Sequence, residues 1–193
     1  MLADFQIRKA VEDCWISVKP FREEHLNPVS LDLTLGNTVR TVRRDVQIID
    51  TAMADVEPNT TYYGCVPSWH PHTDEGVIHA DGYHLRPREF ILASTAERIE
   101  LSSFIAARVE GKSSLGRLGL LVHVTAGFVD PGFEGELTLE IANLSDVTLV
   151  LYAGMRVCQL TFETVEPPEQ DYRHTGRYQG QTGPTESRYR HIR

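Results

Sequence analysis

Cysteine is scarce in this chain of 193 residues: Cys14, Cys65 and Cys158 are odd in number and far apart. They match no zinc-ligand spacing and no disulfide framework, which points to a reducing, cytoplasmic setting. Long hydrophobic runs are absent too, since no stretch approaches the ~18 apolar residues that a bilayer span needs. The start, Met1-Leu-Ala-Asp-Phe-Gln-Ile-Arg8, lacks the basic and apolar regions of a secretory signal, so no membrane contact is expected. Basic residues are in the minority, 19 against 27 acidic, for a net charge of −8. That argues against non-specific nucleic-acid binding, which needs a basic face. What is present, 41% hydrophobic and 24% charged residues, is ordinary globular composition with enough chain for one cored domain.

The apolar pattern is mostly that of strands. Residues 3–15 read as a short helix with Ile7, Val11 and Cys14 on one stripe, followed by a strand at 16–19 that Pro20 stops. Residues 29–35 alternate strictly, with Leu31, Leu33 and Leu35 opposite Ser30, Asp32 and Thr34. Gly36-Asn37 then reads as a turn before a further strand or hairpin over 38–49. Residues 51–82, with Pro58, Pro67 and Pro71, read as a long irregular loop or insertion. Short strands resume at 83, with runs at 90–95, 104–109, 136–142, 148–151 and 156–162. Strands at such spacing, without intervening helices, predict a mainly β fold of sandwich, jelly-roll or barrel type and argue against a parallel α/β sheet. From 172 onward, Arg173, Arg177, Arg188, Arg190 and Arg193 face one acid, Glu186. Composition favours a solvated tail there, although a basic tail on an acidic body also suits closure over an anion.

Residues 110–140 concentrate chemistry in one turn-rich run. In the strand Glu136-Leu-Thr-Leu-Glu-Ile141, alternation puts Leu137, Leu139 and Ile141 on one face and Glu136, Thr138 and Glu140 on the other. Glu140 is thus a carboxylate in the middle of a strand, suited to moving protons, or else a solvated strand residue. Lys112-Ser113-Ser114 between Gly111 and Gly116 supplies a cation, two hydroxyls and backbone amides suited to phosphate, or a plain polar turn. It lacks the Walker A spacing. Arg117 can clamp a carboxylate or phosphate through paired hydrogen bonds. Asp130-Pro-Gly-Phe133 is a β-turn with Pro second and Gly third, which explains Asp130 structurally as well. His70, His72, His79 and His84, with Asp74, Glu75 and Asp81, fit no standard metal-site spacing.

Residues 110–140 resemble the core signature of the dCTP deaminases, the trimeric branch of the dUTPase-like superfamily. Pro28-Val-Ser-Leu-Asp-Leu-Thr-Leu-Gly36 resembles the family's early strand, Tyr152-Ala-Gly-Met-Arg-Val-Cys-Gln-Leu160 its late strand, and Gly176-Arg-Tyr-Gln-Gly-Gln-Thr-Gly-Pro184 its C-terminal arm. The resemblance implies a single domain over 1–193, with a distorted β-barrel or jelly roll, a variable insertion near 51–82 and an arm near 168–193. It implies a homotrimer with sites between subunits and hydrolysis of dCTP to dUTP and ammonia. By the same resemblance Glu140 is general base and acid, and Ser113 and the Ala126 carbonyl hold the water or amino group. Arg117 lies beside Glu140. Asp130 binds the sugar 3′-hydroxyl, and Lys112, Ser114, Arg177, Gln181 and Tyr172 serve the triphosphate. Magnesium would arrive with the phosphates, and dTTP is an expected inhibitor. The family often has arginine at 112; lysine keeps the charge but loses the planar fork. The His-x-Glu with Pro-Cys-x-x-Cys pattern of zinc deaminases is missing, so the water would be activated without zinc.

Two rivals remain at this level. A bifunctional enzyme would carry dUTP on to dUMP and pyrophosphate. Ala126-Gly-Phe-Val-Asp130 resembles bifunctional members, and related dUTPases use an aspartate in an equivalent turn to orient water. A non-catalytic nucleotide sensor on the same fold is the other; the intact set of Ser113, Arg117 and Glu140 argues against it.

Overall fold

Strand-period alternation becomes β-structure in the computed structural model, which describes residues 1–51, 65–67 and 71–189. Helix α1 (Asp4–Glu12) leads into β1 (Ile16–Lys19), a 3-10 turn at Glu23–His25, β2 (Leu26–Asn27) and β3 (Ser30–Val42). Then come β4 (Ile48–Asp50), β5 (Cys65–Pro67), β6 (Thr73–Val77), β7 (Tyr83–Leu85), β8 (Phe90–Leu101) and β9 (Ile105–Gly111). The remainder is α2 (Ser113–Gly116), β10 (Leu120–Leu121), β11 (Phe128–Val129), β12 (Glu134–Asn143), β13 (Leu149–Leu151), β14 (Arg156–Thr164) and α3 (Tyr172–Thr175). Ten strands form one antiparallel sheet with the path β10-β12-β8-β3-β14-β9-β11, to which β1, β2 and β6 add at the sides. The mainly β fold with a short N-terminal helix is as the sequence predicts. No helix among the described residues is long and apolar enough to cross a membrane.

The core is aliphatic. Ile7, Ile16, Leu31, Leu33, Leu35, Ile91, Ile99, Leu139 and Phe162 are fully buried, each worth roughly 1.5–3 kcal/mol relative to exposure. In α1, Gln6 reaches back to accept from the Ala3 N–H at 2.9 Å, with Asp4 in the first turn and Lys9 in the last, each matched to the helix dipole. The helix stops short of the expected 15, because Cys14 adopts a left-handed φ of 60°. That turns Cys14 out to solvent, so the buried stripe is Ile7 and Ala10. Cys158 is buried in β14 and burial pushes its thiol up, leaving it a core residue and not a nucleophile.

Two readings of the sequence need correction. Gly36-Asn37 is no turn: β3 runs through it to Val42, pairing first with β2 and β14 and then with β8 and β6. The glycine is there for close approach, since a Cβ on Gly36 would lie 3.0 Å from Ser94 Oγ and 3.1 Å from its carbonyl oxygen. The polar side of β3 is enclosed as well as the apolar side. Ser30, Asp32 and Thr34 are as buried as the leucines between them and are satisfied by polar partners: Thr34 donates its N–H and hydroxyl to Glu97 at 2.8 and 2.7 Å. Residues 51–82, read as irregular, contain β5 and β6, and β6 pairs with β3.

The tail after β14 is structured through residue 189. At its base the buried Asp171 caps α3 through Arg173 N and also binds the Arg173 guanidinium. Beyond it, Gly180 N donates to Glu134 O at 2.8 Å, Glu136 N donates to Gln181 O at 3.0 Å, and Gly183 N donates to Glu136 Oε2 at 2.6 Å. The Arg173 side chain holds the Asp171 carboxyl down at about 2. Because that value lies below the ordinary carboxylate near 3.9, its contribution is full above pH ~4 and is lost as pH falls toward 2. Asp171→Asn should therefore be less stable than wild type at pH 7, with the gap in urea midpoints narrowing as the pH is lowered from 4 to 3. A constant gap would show that the charge of Asp171 contributes nothing.

Candidate active site

Strand β12 alternates as its sequence requires. Gly135, Leu137, Leu139, Ile141 and Asn143 are buried, while Glu134, Glu136, Thr138 and Glu140 are half-buried on the other side. Glu140 therefore faces a cavity of about 430 Å³. Its Oε2 accepts from Val124 N at 2.9 Å, which ties the carboxylate to the loop carrying Ala126. Oε1 has no hydrogen-bond partner among the described residues and is open to a ligand or water. Phe90, Leu92, Phe128 and Val129 supply apolar walls suited to a flat ring.

Asp130 reaches the same cavity from its turn. Phe133 N donates to Asp130 O at 3.2 Å and Gly132 has φ +83°, the geometry of a type II turn. A side chain at Gly132 would also strike the Asp171 carboxylate, with a Cβ 2.7 Å from its Cγ. The turn is thus packed on the base of the arm: Tyr172 N donates to Pro131 O at 2.9 Å, and the Tyr172 ring lies 5.6 Å from that of Phe133. Burial pushes the Tyr172 phenol up, so it stays a neutral donor and acceptor. Gln181 also lines the cavity; its Nε2 donates to Glu136 O at 2.7 Å, and Oε1 is buried without a partner among the described residues.

One cavity thus collects Ala126, Asp130, Glu140, Tyr172 and Gln181. Lys112, Ser113, Ser114, Arg117 and Arg177 do not line it. Ser113 and Ser114 sit exposed in α2, and Arg117 follows them, also exposed. None of these three side chains, nor the Arg177 guanidinium, hydrogen-bonds to another described residue. Lys112 is engaged: its Nζ donates to Asp32 Oδ1 at 2.7 Å, where Asn27 Nδ2 also donates at 2.9 Å, with Arg156 3.4 Å from Oδ2. Asp32, 1% exposed, is thus the main residue that sequence reasoning missed. An acid between leucines on a strand was the available signal. Tyr178, another cavity-lining residue, was missed as one aromatic among the arm's polar residues.

Among the described residues, no group of three His, Cys, Asp or Glu side chains could hold a metal ion. His70 of the histidine cluster lies outside the described residues.

Breaking a fully buried ion pair costs about 3–5 kcal/mol; Lys112 is partly exposed and can regain water, so Asp32→Asn should cost roughly 2 kcal/mol in urea unfolding. A loss below the error of the measurement would remove Asp32 as the anchor of Lys112.

The dCTP deaminase-like family profile matches residues 1–165. A Methanosphaera stadtmanae protein named "dCTP deaminase, dUMP-forming" is 41% identical over 193 residues, covering 97% of this chain and 93% of its own. The protein of the same name from Persephonella marina is 40% identical over 189 residues, covering 97% and 96%. The solved 2′-deoxycytidine 5′-triphosphate deaminase from Agrobacterium tumefaciens superposes with a TM-score of 0.62 at 22% identity, over 85% of this chain and 48% of that one, and shares the fold. With its profile match and these relatives, the chain belongs to the dCTP deaminase-like family.

Proposed function

We propose that this protein hydrolyses dCTP to dUMP, with ammonia and pyrophosphate released, and that one cavity serves both steps. The observation that carries this reading is that Glu140 and Asp130, the two carboxylates it needs, line the same cavity. The relatives named above are dUMP-forming, which moves this reading ahead of the dUTP-forming reaction that the sequence resemblance put first.

In the first step the cytosine ring lies between the apolar walls with C4 near Glu140. Glu140 takes a proton from water, whose oxygen bonds to C4, and delivers it to N3; it then takes the proton of the new C4 hydroxyl and delivers it to the departing amine. The C4–N4 bond breaks, ammonia leaves, and a C4 carbonyl remains. The Val124 N–H bond holds one carboxylate oxygen still while the other handles protons. The Ala126 carbonyl accepts from the water or the amino group. In the second step Asp130 orients a water toward the α-phosphorus and takes its proton; the new P–O bond forms as the bridging oxygen leaves with pyrophosphate. Asp130 also accepts from the 3′-hydroxyl. Magnesium, bound by the triphosphate, would neutralise charge on the phosphates.

Ser113, Ser114 and Arg117 stand on exposed α2, outside the cavity lining, and a neighbouring copy in a homotrimer is the proposed source of these groups. Exposed Leu118, Leu144 and Val147 gather beside α2, where Leu144 N donates to Gly119 O at 2.8 Å, and supply an apolar patch for that contact. Lys112, Ser114, Arg177 and Tyr172 then serve the phosphates.

Purified protein given dCTP and magnesium should release dUMP and pyrophosphate, resolved by ion-exchange chromatography, without free dUTP building up. Stoichiometric accumulation of dUTP would sink the second step. Glu140→Gln should lower deamination at least about a hundredfold while nucleotide still binds in equilibrium dialysis; near-normal turnover would strip Glu140 of its role. Asp130→Asn should slow pyrophosphate release from dUTP by roughly the same factor, with a smaller loss in deamination of dCTP.

A further inference from the structure

Glu186 is the one acid in the otherwise basic stretch from residue 172 onward, and it is well partnered. Its Oε1 accepts from His72 N at 3.0 Å, from Thr73 N at 2.7 Å and from the Thr73 hydroxyl. Arg40 completes the seat, with its guanidinium 3.7 Å from the carboxylate and its Nε donating to Thr73 Oγ1 at 2.7 Å. Burial alone would raise Glu186, yet the bonds from Thr73 and His72 and the charge of Arg40 hold it below its ordinary range. A single carboxylate is therefore gripped by two backbone amides, a hydroxyl and a cation, a receptor fit for an anion.

Its neighbours give this contact its meaning. Thr185 and Ser187, on either side of Glu186, line the cavity that holds Glu140 and Asp130. Thr185 and Ser187 thus border the cavity, while the Glu186 carboxylate between them enters the seat on β6. Two of the seat's residues, His72 and Thr73, lie within 51–82, the segment that the sequence resemblance makes a variable insertion, and Arg40 comes from β3. Closer to α3 the arm is held by Glu136, Thr138 and the Gly135–Gln181 bridge. Glu186 is the fastening beyond them.

We propose that Glu186 is a positioning residue for nucleotide capture: seated on His72, Thr73 and Arg40, it clasps the arm down as the roof of the cavity. Resting on the function proposed above, it makes the nucleoside triphosphate the ligand held beneath that roof. It assigns to β6 a task that the sequence resemblance does not, namely to receive the arm. Loss of the clasp frees the roof without touching the groups that perform chemistry.

Glu186→Ala should raise KM for dCTP roughly tenfold, the scale of one lost charged hydrogen-bonded contact, and leave kcat within about twofold. Thr73→Val, which removes one of the three donors from the other side, should raise KM less. The double variant should be no worse than Glu186→Ala, because partners in one contact are not additive. In nucleotide-free protein, trypsin should cut at exposed Arg177 several-fold faster in Glu186→Ala than in wild type. An unchanged KM with unchanged cleavage, or KM effects that multiply in the double variant, would overturn the clasp. If wild type fails to turn over dCTP, the function proposed above fails, while the cleavage rates still support or overturn the clasp.

Discussion

The site depends on a strand that cannot slip. Leu137, Leu139 and Ile141 of β12 are sealed in the core, and moving the register by one residue would expose all three while burying Glu136, Thr138 and Glu140. The hydrophobic side therefore pins the polar side. Of the three polar residues, Glu136 and Thr138 receive backbone N–H groups from the arm, and Glu140 faces the cavity that the arm helps to roof. One strand serves as floor and as anchor, so the acid and the cover above it share a register.

A second constraint is polar burial. In β3 the polar side is enclosed as well, and Asp32 and Thr34 are accommodated because each finds partners: Lys112, Arg156 and Asn27 for the first, Glu97 for the second. Unpaired, either would oppose folding. The Asp32–Lys112 contact also links a core strand to the start of α2, so the loop with the two serines begins from a fixed point. The turn at Asp130 is fixed in a comparable way, by Asp171 and Tyr172 at the base of the arm. Charged side chains in this molecule position loops more than they neutralise one another.

Local pattern and short-range chemistry were legible from the chain. The strand at 16–19, the alternation around Glu140, the Asp130 turn and the mainly β class follow from period, proline and glycine. Gly36 misled because a glycine that ends a strand and one that admits a neighbouring backbone look alike in sequence; only Ser94 beside it tells them apart. The basic tail misled in the same sense. Its composition is that of solvated chain, and its order comes from hydrogen bonds to a strand some 45 residues away in sequence.

The sequence by itself determined which residues could do chemistry and which side of β12 they would occupy, because side-chain type and the two-residue period are local properties. Tertiary structure alone decided which of them meet. It brought Glu140, Asp130, Ala126, Tyr172 and Gln181 to one cavity, left Ser113 and Arg117 on an exposed turn, tied Lys112 to Asp32 and fastened Glu186 to Thr73. Those outcomes rest on strand order and on the satisfaction of buried polar groups, contacts between residues far apart in the chain, which no local pattern encodes.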